Sequence, residues 1–273
     1  MRENLGAPVR LGQAICYSAL SPGKRLRPLL VLTACEAVGG DWRRALPAAA
    51  ALECVHAFSL VHDDLPAMDD DDFRRGRATT HRKYGEALAI LAGDALLAFA
   101  FEELTRLAIR EVRPARVLGC ILRLADASGS AYLMAGQALD LEFEGKPVTR
   151  GDVLRIHLRK TGALLGAAMA VGAIVGGGSA RQVEDLDRAG MRLGLAFQIQ
   201  DDLLNAGSTL GALGKRAGTD AKRGKATFPR AVGEVRARSE AAAFLSGARD
   251  LIAHCARPAR LLQLMDVIAE RDR

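Results

Sequence analysis

Apolar residues recur along most of this chain at the spacing of one face of an α-helix. The pattern covers residues 29–38, 46–60, 87–107, 117–139, 153–173 and 183–204. Turn-forming segments rich in Gly and Pro separate these stretches, and none of them has the length of an interdomain linker. The sequence therefore predicts one helix after another and an all-α fold class.

Composition agrees with a helical protein. Only 4% of the 273 residues are aromatic and runs of β-branched residues are scarce, which argues against a sandwich or barrel of short strands. With 49% hydrophobic and 26% charged residues, the chain has the composition of a folded globular protein. Its length suffices for one large core, and size alone leaves one or two domains open.

Charge and cysteine content restrict the partners and the compartment. The 38 Lys and Arg exceed the 32 Asp and Glu, and the net charge of +6 suits an anionic small molecule. Nucleic acid is a poor candidate because the basic residues are dispersed among acids without interleaved aromatics. Five scattered cysteines argue against a disulfide framework and favour the cytoplasm. We expect neither a signal peptide nor a transmembrane segment, and interpret residues 163–178 as a buried helix.

The first of two acidic clusters follows an apolar helix pattern. It reads His62-Asp63-Asp64-Leu65-Pro66-Ala67-Met68-Asp69 and continues through three further aspartates. Pro66 ends or bends the helix, so Asp63 and Asp69 can face one cavity. Carboxylates at a helix end suit Mg²⁺, which keeps several waters and is completed by substrate phosphates. The alternative interpretation is a solvated run of charge at a helix terminus.

A second acidic cluster favours the metal interpretation. Within residues 197–205, four polar residues lie within about one turn of each other on one helix face: Gln198, Asp201, Asp202 and Asn205. Two acidic helix ends that face each other could hold a group of metal ions between them.

Basic residues also come in sets. They are Lys24, Arg25 and Arg27, then Arg74 and Arg75, Arg159 and Lys160, and finally Lys215 and Lys225. Arg offers a fork for bidentate phosphate contacts and Lys a point charge, so Mg²⁺ carboxylates opposite these cations describe a diphosphate clamp. The segment 207–224, rich in Gly, Lys and Arg, is interpreted as a basic functional loop that acts as a lid.

These motifs together resemble the trans-isoprenyl diphosphate synthases, closest to the bacterial farnesyl diphosphate synthase branch. The matching segments are Gly23-Lys24-Arg25-Leu26-Arg27-Pro28, residues 62–69, Arg74-Arg75-Gly76, Gly136-Gln137-Ala138-Leu139-Asp140, Lys160-Thr161-Gly162 and Phe197-Gln198-x-x-Asp201-Asp202. The resemblance implies a single domain of about ten or more helices around a central cavity, usually in a homodimer. It also implies Mg²⁺-dependent head-to-tail condensation of isopentenyl diphosphate with dimethylallyl or geranyl diphosphate.

The resemblance assigns roles to individual residues. Metal ligands, for an expected three Mg²⁺ per site with Mn²⁺ able to substitute, would be Asp63, Asp64, Asp69, Asp201 and Asp202. Contacts to the allylic diphosphate would come from Arg74, Lys160, Lys215 and Lys225. Contacts to isopentenyl diphosphate would come from Lys24, Arg27, His56 and Arg75. Thr161 and Gln198 would line the space between and act in catalysis with Asp63, Lys160 and Asp201.

The chemistry explains why such residues are needed. Breaking the allylic carbon–oxygen bond gives a delocalised cation and a diphosphate anion, so the leaving group needs charge stabilisation more than the reaction needs a protein nucleophile. The cation also needs an apolar, closed cavity. Phe58 and Ser59, four to five residues before Asp63, would point into that cavity. The family pattern implies that Phe58 stops growth at the fifteen-carbon product, while the alternative is that Phe58 is an ordinary core residue.

Two features depart from the family pattern. Asn205 stands where the family commonly has Asp, which predicts weaker Mg²⁺ affinity with catalysis retained. Little chain precedes Lys24, so the first helix is expected to be shortened. Alternatives to a farnesyl diphosphate synthase are a geranylgeranyl or geranyl diphosphate synthase, a low-activity subunit, and a metal-dependent phosphohydrolase that would use His62 and Asp63 as ligands.

Overall fold

The apolar faces found in the sequence pack against one another in the computed structural model, which describes residues 6–207 and 225–269. The helices are α1 (Val9–Ala19), α2 (Leu26–Ala37), α3 (Leu46–Asp63), α4 (Thr80–Tyr84), α5 (Glu86–Thr105), α6 (Pro114–Ser128), α7 (Leu133–Glu142), α8 (Arg150–His157), α9 (Ala163–Gly176), α10 (Ala180–Gly207), α11 (Phe228–Val232), α12 (Glu234–Ile252) and α13 (Ala259–Ala269). The predicted all-α fold of ten or more helices is confirmed.

The strands of the described residues form one small antiparallel pair, β1 (Phe73–Arg74) and β2 (Arg77–Ala78). Phe73 pairs with Ala78, and Arg74 with Arg77. The pair directly follows the first acidic cluster. Its turn sets Arg75 at a positive φ of 54° and Gly76 at 74°. This hairpin therefore fixes where Arg74 and Arg75 lie relative to α3.

Two helix boundaries agree with the sequence signals. α3 ends at Asp63, before Pro66, so Asp63 lies at a helix end. α8 begins after Thr149, whose side chain accepts a hydrogen bond from the Asp152 N–H while the Asp152 side chain accepts from the Thr149 N–H. The stretch ahead of Lys24, expected to be shortened, contains the eleven-residue helix α1.

Two predicted helices are interrupted. The apolar pattern over 117–139 divides into α6 and α7, because Gly129 adopts an extended conformation (φ −83°, ψ −163°) that ends α6. The pattern over 153–173 divides at a π-helical turn, Leu158–Gly162. Such turns recur at functional sites, and this one carries Lys160 and Thr161.

The large core is built around α9. All but two of its residues are buried, which confirms the interpretation of residues 163–178 as a buried helix. A Cβ added at Gly172 would lie 2.2 Å from the Val31 carbonyl oxygen of α2, so the glycine permits close approach of the two backbones. A second, smaller core joins α8, α10, α11 and α12 around the fully buried Phe228.

The expectation that the chain has no transmembrane segment stays a prediction, because helix length and hydropathy alone do not exclude one. By length and mean hydropathy alone, three helical stretches of the described chain could cross a membrane: Trp42–Asp63, Pro114–Glu142 and Arg150–Gly176. They reach that length because the 3₁₀, π and turn residues join neighbouring apolar helices. In the last stretch, 78% of the most apolar window is buried inside the protein.

Candidate active site

Acids and lysines from four parts of the chain meet beside the end of α3. We call Asp63, Asp69, Asp140, Lys160 and Lys225 the acid–lysine cluster. The Asp69 N–H donates to the Asp63 carbonyl at 2.8 Å, which folds the segment after α3 back toward the helix end. Lys160 Nζ lies 2.6 Å from Asp140 Oδ2, and Lys225 Nζ lies 3.0 Å from Asp69 Oδ1 and 3.8 Å from Asp140 Oδ2.

The burial of Asp63 gives this cluster unusual electrostatics. Burial raises the pKa of Asp63 to about 6; Lys160 opposes this rise and the neighbouring Asp69 adds to it. The charges of Arg74 and Lys225 also oppose the rise. Asp63 is therefore a buried carboxylate with cationic side chains on several sides.

Close packing of α7 on the π-helical turn places Asp140 and Lys160 together. A Cβ added at Gly136 would lie 2.3 Å from the Lys160 backbone nitrogen, so only glycine fits there. Asp140 follows Gly136 by one helical turn and faces the same side. The Gly136-Gln137-x-x-Asp140 spacing was the available signal for Asp140, to which the sequence analysis assigned no role.

Asp64, predicted to support metal binding, lines a different cavity from Asp63. It is buried, and its Oδ1 accepts hydrogen bonds from Arg74 Nε at 2.7 Å and Nη2 at 2.5 Å. Burial lowers the pKa of Arg74, but the hydrogen bond and the negative charge of Asp64 outweigh burial and raise this pKa overall. Asp64 thus holds the Arg74 guanidinium at the edge of the site.

Asp202 in the second acidic cluster resembles Asp64 in that it is buried and bound to other groups of the protein. Its side chain is buried, and Oδ2 lies 2.9 Å from His157 Nε2 and accepts the Phe228 N–H at 2.7 Å. These contacts join α8, α10 and the start of α11. Since Phe228 follows Lys225 by three residues, Asp202 anchors the segment that carries Lys225 into the acid–lysine cluster.

Consecutive residues of a helix project about 100° apart, which explains both pairs. In each Asp-Asp pair, the second carboxylate binds a cationic or imidazole side chain of the protein: Arg74 for Asp64 and His157 for Asp202. The first carboxylates, Asp63 and Asp201, are then the ones directed elsewhere. The roles expected for the four, metal binding by Asp63 and Asp201 with Asp64 and Asp202 in support, stay predictions.

The carboxylates fit Mg²⁺ only if another molecule completes its coordination. Within 6–207 and 225–269, no group of three or more Asp, Glu, His or Cys side chains is close enough to hold a metal ion alone. Asp63 and Asp69 offer hard oxygen donors near each other, and Mg²⁺ normally takes one or two carboxylates plus waters and phosphates. The donor set therefore suits a metal that arrives with a phosphorylated ligand.

Thr161 and Gln198 connect the π-helical turn to α10. The Thr161 hydroxyl donates to Gln198 Oε1 at 3.0 Å. Asp201 follows Gln198 by three residues, slightly less than one helical turn, and is half-buried. The second acidic cluster is therefore tied to the same turn that carries Lys160.

A separate group of charged residues lies between α2, α3 and the hairpin. We call Arg25, Arg27, Glu53, His56 and Arg75 the arginine pocket. Arg25 has a left-handed conformation (φ 51°), and its guanidinium donates to Glu53 Oε1 at 2.5 Å, to the Ala19 carbonyl and to the Ser21 carbonyl. Arg25, to which the sequence analysis gave no individual role, thus fixes the turn that leads to Arg27.

Three buried polar atoms of the arginine pocket have no hydrogen-bond partner among the described residues. They are Arg27 Nε, Glu53 Oε2 and His56 Nδ1. Burial, with Arg27 and Arg75 next, lowers the pKa of His56 well below its ordinary value, so the imidazole is neutral. Burial also lowers the pKa of Arg27 to about 10, against the effect of Glu53. Buried polar atoms normally find partners, so this arrangement indicates a binding site for a polar ligand.

The turn before α2 also contacts Arg75. Arg75 Nη1 donates to the Pro22 carbonyl at 2.6 Å, and a Cβ at Gly23 would lie 2.3 Å from that nitrogen. Lys24 is exposed at the same turn. A small cavity of about 50 Å³ lined by Arg25, Glu53, His56 and Arg75 opens here. Of the predicted residues, Arg27, His56 and Arg75 are brought together, and Lys24 lies on the exposed turn before them.

A larger cavity of about 350 Å³ begins at the acid–lysine cluster. Asp63 and Lys160 line it together with Phe58 and Ser59. Its other walls are mainly apolar, from Met68, Leu97, Leu133, Met134, Ala138 and Leu141. The volume lies within the usual range of about 300–1000 Å³ for small-molecule sites. A charged end and an apolar body are the form expected for an amphipathic anion.

Known proteins share this arrangement across the chain. Residues 8–250 match the polyprenyl synthetase family model. The chain belongs to the polyprenyl synthetase family. It is 42% identical over 271 residues to a farnesyl diphosphate synthase of Geobacillus stearothermophilus, covering 99% of this chain and 91% of the relative. It is 47% identical over 240 residues to geranylgeranyl pyrophosphate synthase 11 of Arabidopsis thaliana, covering 87% and 67%.

A solved structure agrees. Geranylgeranyl pyrophosphate synthetase from Pyrococcus horikoshii superposes with a TM-score of 0.89 at 34% identity, covering 97% of this chain and 91% of that one. The polyprenyl synthetase is thus a prenyltransferase, as its motifs predicted. The phosphohydrolase alternative is set aside, and His62 binds the Ile90 carbonyl rather than joining a group of metal-binding side chains.

Two predicted features of this polyprenyl synthetase lie outside the described residues. They are Lys215 and most of the segment 207–224, interpreted as a lid. Asn205 is half-buried in the last turns of α10, on the segment that carries Asp201.

Proposed function

We propose that the protein condenses isopentenyl diphosphate with dimethylallyl or geranyl diphosphate and that farnesyl diphosphate is the main product. The observation that carries this proposal is the cavity of about 350 Å³ that joins Asp63 and Lys160 to Phe58. A diphosphate at its charged end would direct a prenyl chain along its apolar walls. The position of Phe58 then limits how long that chain becomes.

The arginine pocket would bind isopentenyl diphosphate. Arg27, His56 and Arg75, with Lys24 at its edge, supply the positive charge and donors that a diphosphate needs. The partnerless Arg27 Nε and His56 Nδ1 support this assignment. The neutral imidazole offers a hydrogen bond without adding charge to an already cationic site.

The acid–lysine cluster would bind the allylic diphosphate. Asp63 and Asp69 would hold Mg²⁺ from α3, and Asp201 would hold it from α10. Bound Mg²⁺, expected at three ions per site and replaceable by Mn²⁺, supplies positive charge that stabilises the diphosphate leaving group. Asp64 and Asp202 support this set indirectly, through Arg74 and through the Lys225 segment.

The protein's own cations complete the stabilisation of the leaving group. Lys160 and Lys225, now paired with Asp140 and Asp69, would turn to the diphosphate oxygens, where Arg74 is already held by Asp64. As the allylic carbon–oxygen bond breaks, these fixed charges face the developing anion. Lys215, in the segment proposed as a lid, would add to them.

The allylic cation needs a different environment. The Thr161 hydroxyl and the Gln198 amide form a hydrogen-bonded pair next to Lys160, where their dipoles can face positive charge. The apolar walls exclude water until the double bond of isopentenyl diphosphate attacks. A new carbon–carbon bond forms, the resulting cation gives up a proton to the released diphosphate, and the chain is five carbons longer.

Two sets of exposed apolar side chains support a homodimer. Ile90 and Leu91 on α5 are 44% and 50% exposed, and Leu118 and Leu122 on α6 are 56% and 61% exposed. α5 and α6 contact each other, and exposed apolar side chains on neighbouring helices are a candidate interaction surface. A second copy of the chain would cover it.

The remaining assignments concern domain and compartment. We infer a single synthase domain over 1–273, since α9 contacts α2, α3 and α6 from the first half of the chain and α10 from the second. All five cysteines are free thiols, and burial raises the pKa of Cys35, Cys54 and Cys120 to about 12. Buried, protonated thiols agree with a reducing cytoplasm.

One experiment tests the proposed function. Purified protein is supplied with labelled isopentenyl diphosphate and either dimethylallyl or geranyl diphosphate, with and without Mg²⁺, and the products are separated by chain length. We expect farnesyl diphosphate from both primers, only with the metal. Product of twenty carbons from the native chain would indicate a geranylgeranyl diphosphate synthase, and product of ten carbons a geranyl diphosphate synthase. No elongation would favour the low-activity subunit.

A further inference from the structure

His62 stands next to Asp63 but faces another way. Its Nε2 lies 3.1 Å from the Ile90 carbonyl of α5 and 3.9 Å from Asp94 Oδ1. A hydrogen bond to a carbonyl requires that Nε2 carry the proton. The imidazole is therefore held between α3 and α5 rather than offered to the acid–lysine cluster.

The imidazole also contacts Phe58 one helical turn earlier. The two ring centroids are 5.0 Å apart at an interplanar angle of 76°, an edge-to-face contact. Phe58 is only 6% exposed, and both rings line the cavity of about 350 Å³. One side of the Phe58 ring is thus fixed by His62 and another faces the space where a prenyl chain would grow.

Gly93 provides the room for His62. A Cβ added at Gly93 would lie 2.2 Å from His62 Nε2 and 2.4 Å from Cδ2. Glycine within a helix costs about 1 kcal/mol relative to alanine. Gly93 is buried in the middle of α5, so an alanine there would force the imidazole to move.

We propose that His62, seated on Gly93, is a positioning residue that holds Phe58 as the floor of the elongation cavity and so limits product length. This inference rests on the proposed function. His62 acts through Phe58 and through the shape of the cavity wall, not on the reacting atoms. Without the imidazole, the Phe58 ring gains freedom to turn aside and the cavity deepens.

Product distribution tests this role, because a merely structural residue would not alter it. The variants are His62→Ala, Gly93→Ala and the double variant, with Gly119→Ala as the matched control; a Cβ at Gly119 would only touch Ile174 at 3.9 Å. Each is supplied with labelled isopentenyl diphosphate and geranyl diphosphate. Products of fifteen and twenty carbons are then quantified.

We expect His62→Ala to raise the ratio of twenty- to fifteen-carbon product about tenfold, the size expected for loss of one aromatic edge contact. Gly93→Ala should raise the same ratio, and the double variant should not exceed His62→Ala, because both changes act through one ring. Gly119→Ala should keep the native ratio.

A conservative variant guards against loss of folding. His62→Phe keeps the aromatic edge against Phe58 but cannot donate to the Ile90 carbonyl, and should give a ratio closer to that of the native chain than His62→Ala does. The proposal is overturned if folded His62→Ala keeps the native ratio, or if His62→Phe and His62→Ala change it equally. Native protein that elongates no primer would instead remove the proposed function.

Discussion

The acid–lysine cluster and the arginine pocket both present charges to a diphosphate, yet they do so in opposite ways. In the cluster both lysines are already paired with carboxylates, Lys160 with Asp140 and Lys225 with Asp69. In the arginine pocket, by contrast, three buried polar atoms lack a partner among the described residues.

This difference indicates two modes of binding. A ligand of the acid–lysine cluster has to exchange partners, which requires a metal ion to take the carboxylates while the lysines turn to phosphate oxygens. A ligand of the arginine pocket meets donors that are already in place. Binding in the first region should therefore depend on Mg²⁺ far more than binding in the second. Four substitutions test this difference between the acid–lysine cluster and the arginine pocket.

The largest effect is expected from Asp63→Asn. Loss of the carboxylate should lower kcat/KM by about 100- to 1000-fold, because the charge that would hold the metal at the leaving group is gone. Thermal stability should not fall, since the variant removes a buried carboxylate whose pKa is raised by burial. Steady-state kinetics and thermal melting check both expectations.

Asp94→Asn is the matched control for that substitution, because Asp94 lines the same cavity but its side chain is 61% exposed. It should retain near-native kcat/KM. An equal loss in both variants would contradict a special role for Asp63.

The second effect concerns Asp202. Asp202→Asn removes the carboxylate charge from the buried contacts to His157 and the Phe228 N–H, and should lower the free energy of unfolding by about 2 kcal/mol. The rate should fall because Lys225 loses its anchor, but the Mg²⁺ concentration for half-maximal rate should stay native. Urea denaturation and Mg²⁺ titration measure the two quantities.

Asp201→Asn serves as the comparison for Asp202→Asn. It should shift the Mg²⁺ dependence with little loss of stability. If Asp202→Asn shifts the Mg²⁺ dependence as strongly as Asp201→Asn does, Asp202 is a metal ligand and the division within the pair is wrong.

A smaller effect is expected in the arginine pocket. Glu53→Gln weakens the contact that holds Arg25, and should raise KM for isopentenyl diphosphate about tenfold with kcat and the allylic KM little changed. Glu111→Gln, which alters the exposed pair with Arg44, is the control and should have native constants. An equal rise in the KM values of both substrates would argue against a separate pocket for isopentenyl diphosphate.

The smallest effect is expected from Asn205→Asp. The added carboxylate near Asp201 should lower the Mg²⁺ concentration for half-maximal rate by roughly three- to fivefold and leave kcat near its native value. Mg²⁺ titration of the initial rate measures this change. Unchanged metal dependence would show that position 205 lies outside the metal site.

Much of this account could be predicted from the sequence. Helical periodicity gave α3 and α10 and placed Phe58 upstream of Asp63 on one helix, since these signals depend on local geometry. That Lys160 belongs to the same site was implied by the family resemblance. That Asp64 and Asp202 point in different directions from Asp63 and Asp201 was predictable in principle, because consecutive helix residues project about 100° apart. The partner of each, Arg74 for Asp64 and His157 for Asp202, could not be predicted because tertiary packing supplies it.

Other features depend on contacts between distant segments. The partnership of Asp140 with Lys160 requires the close approach of α7 at Gly136, and that of Arg25 with Glu53 joins residues 28 positions apart. The π-helical turn at Leu158–Gly162 interrupts an apolar pattern that continues on both sides, so periodicity could not reveal it. Tertiary packing decides these features.

The most direct test of the contrast between the two regions is calorimetric titration of the native protein with each ligand, with Mg²⁺ and with a chelator. The ligands are isopentenyl diphosphate and a thio analogue of geranyl diphosphate, whose allylic bond to the diphosphate does not break during the titration. We predict that removing Mg²⁺ raises the Kd of the allylic analogue by at least about tenfold. The Kd of isopentenyl diphosphate should change by less than about twofold. Equal dependence of both ligands on Mg²⁺ would contradict the account.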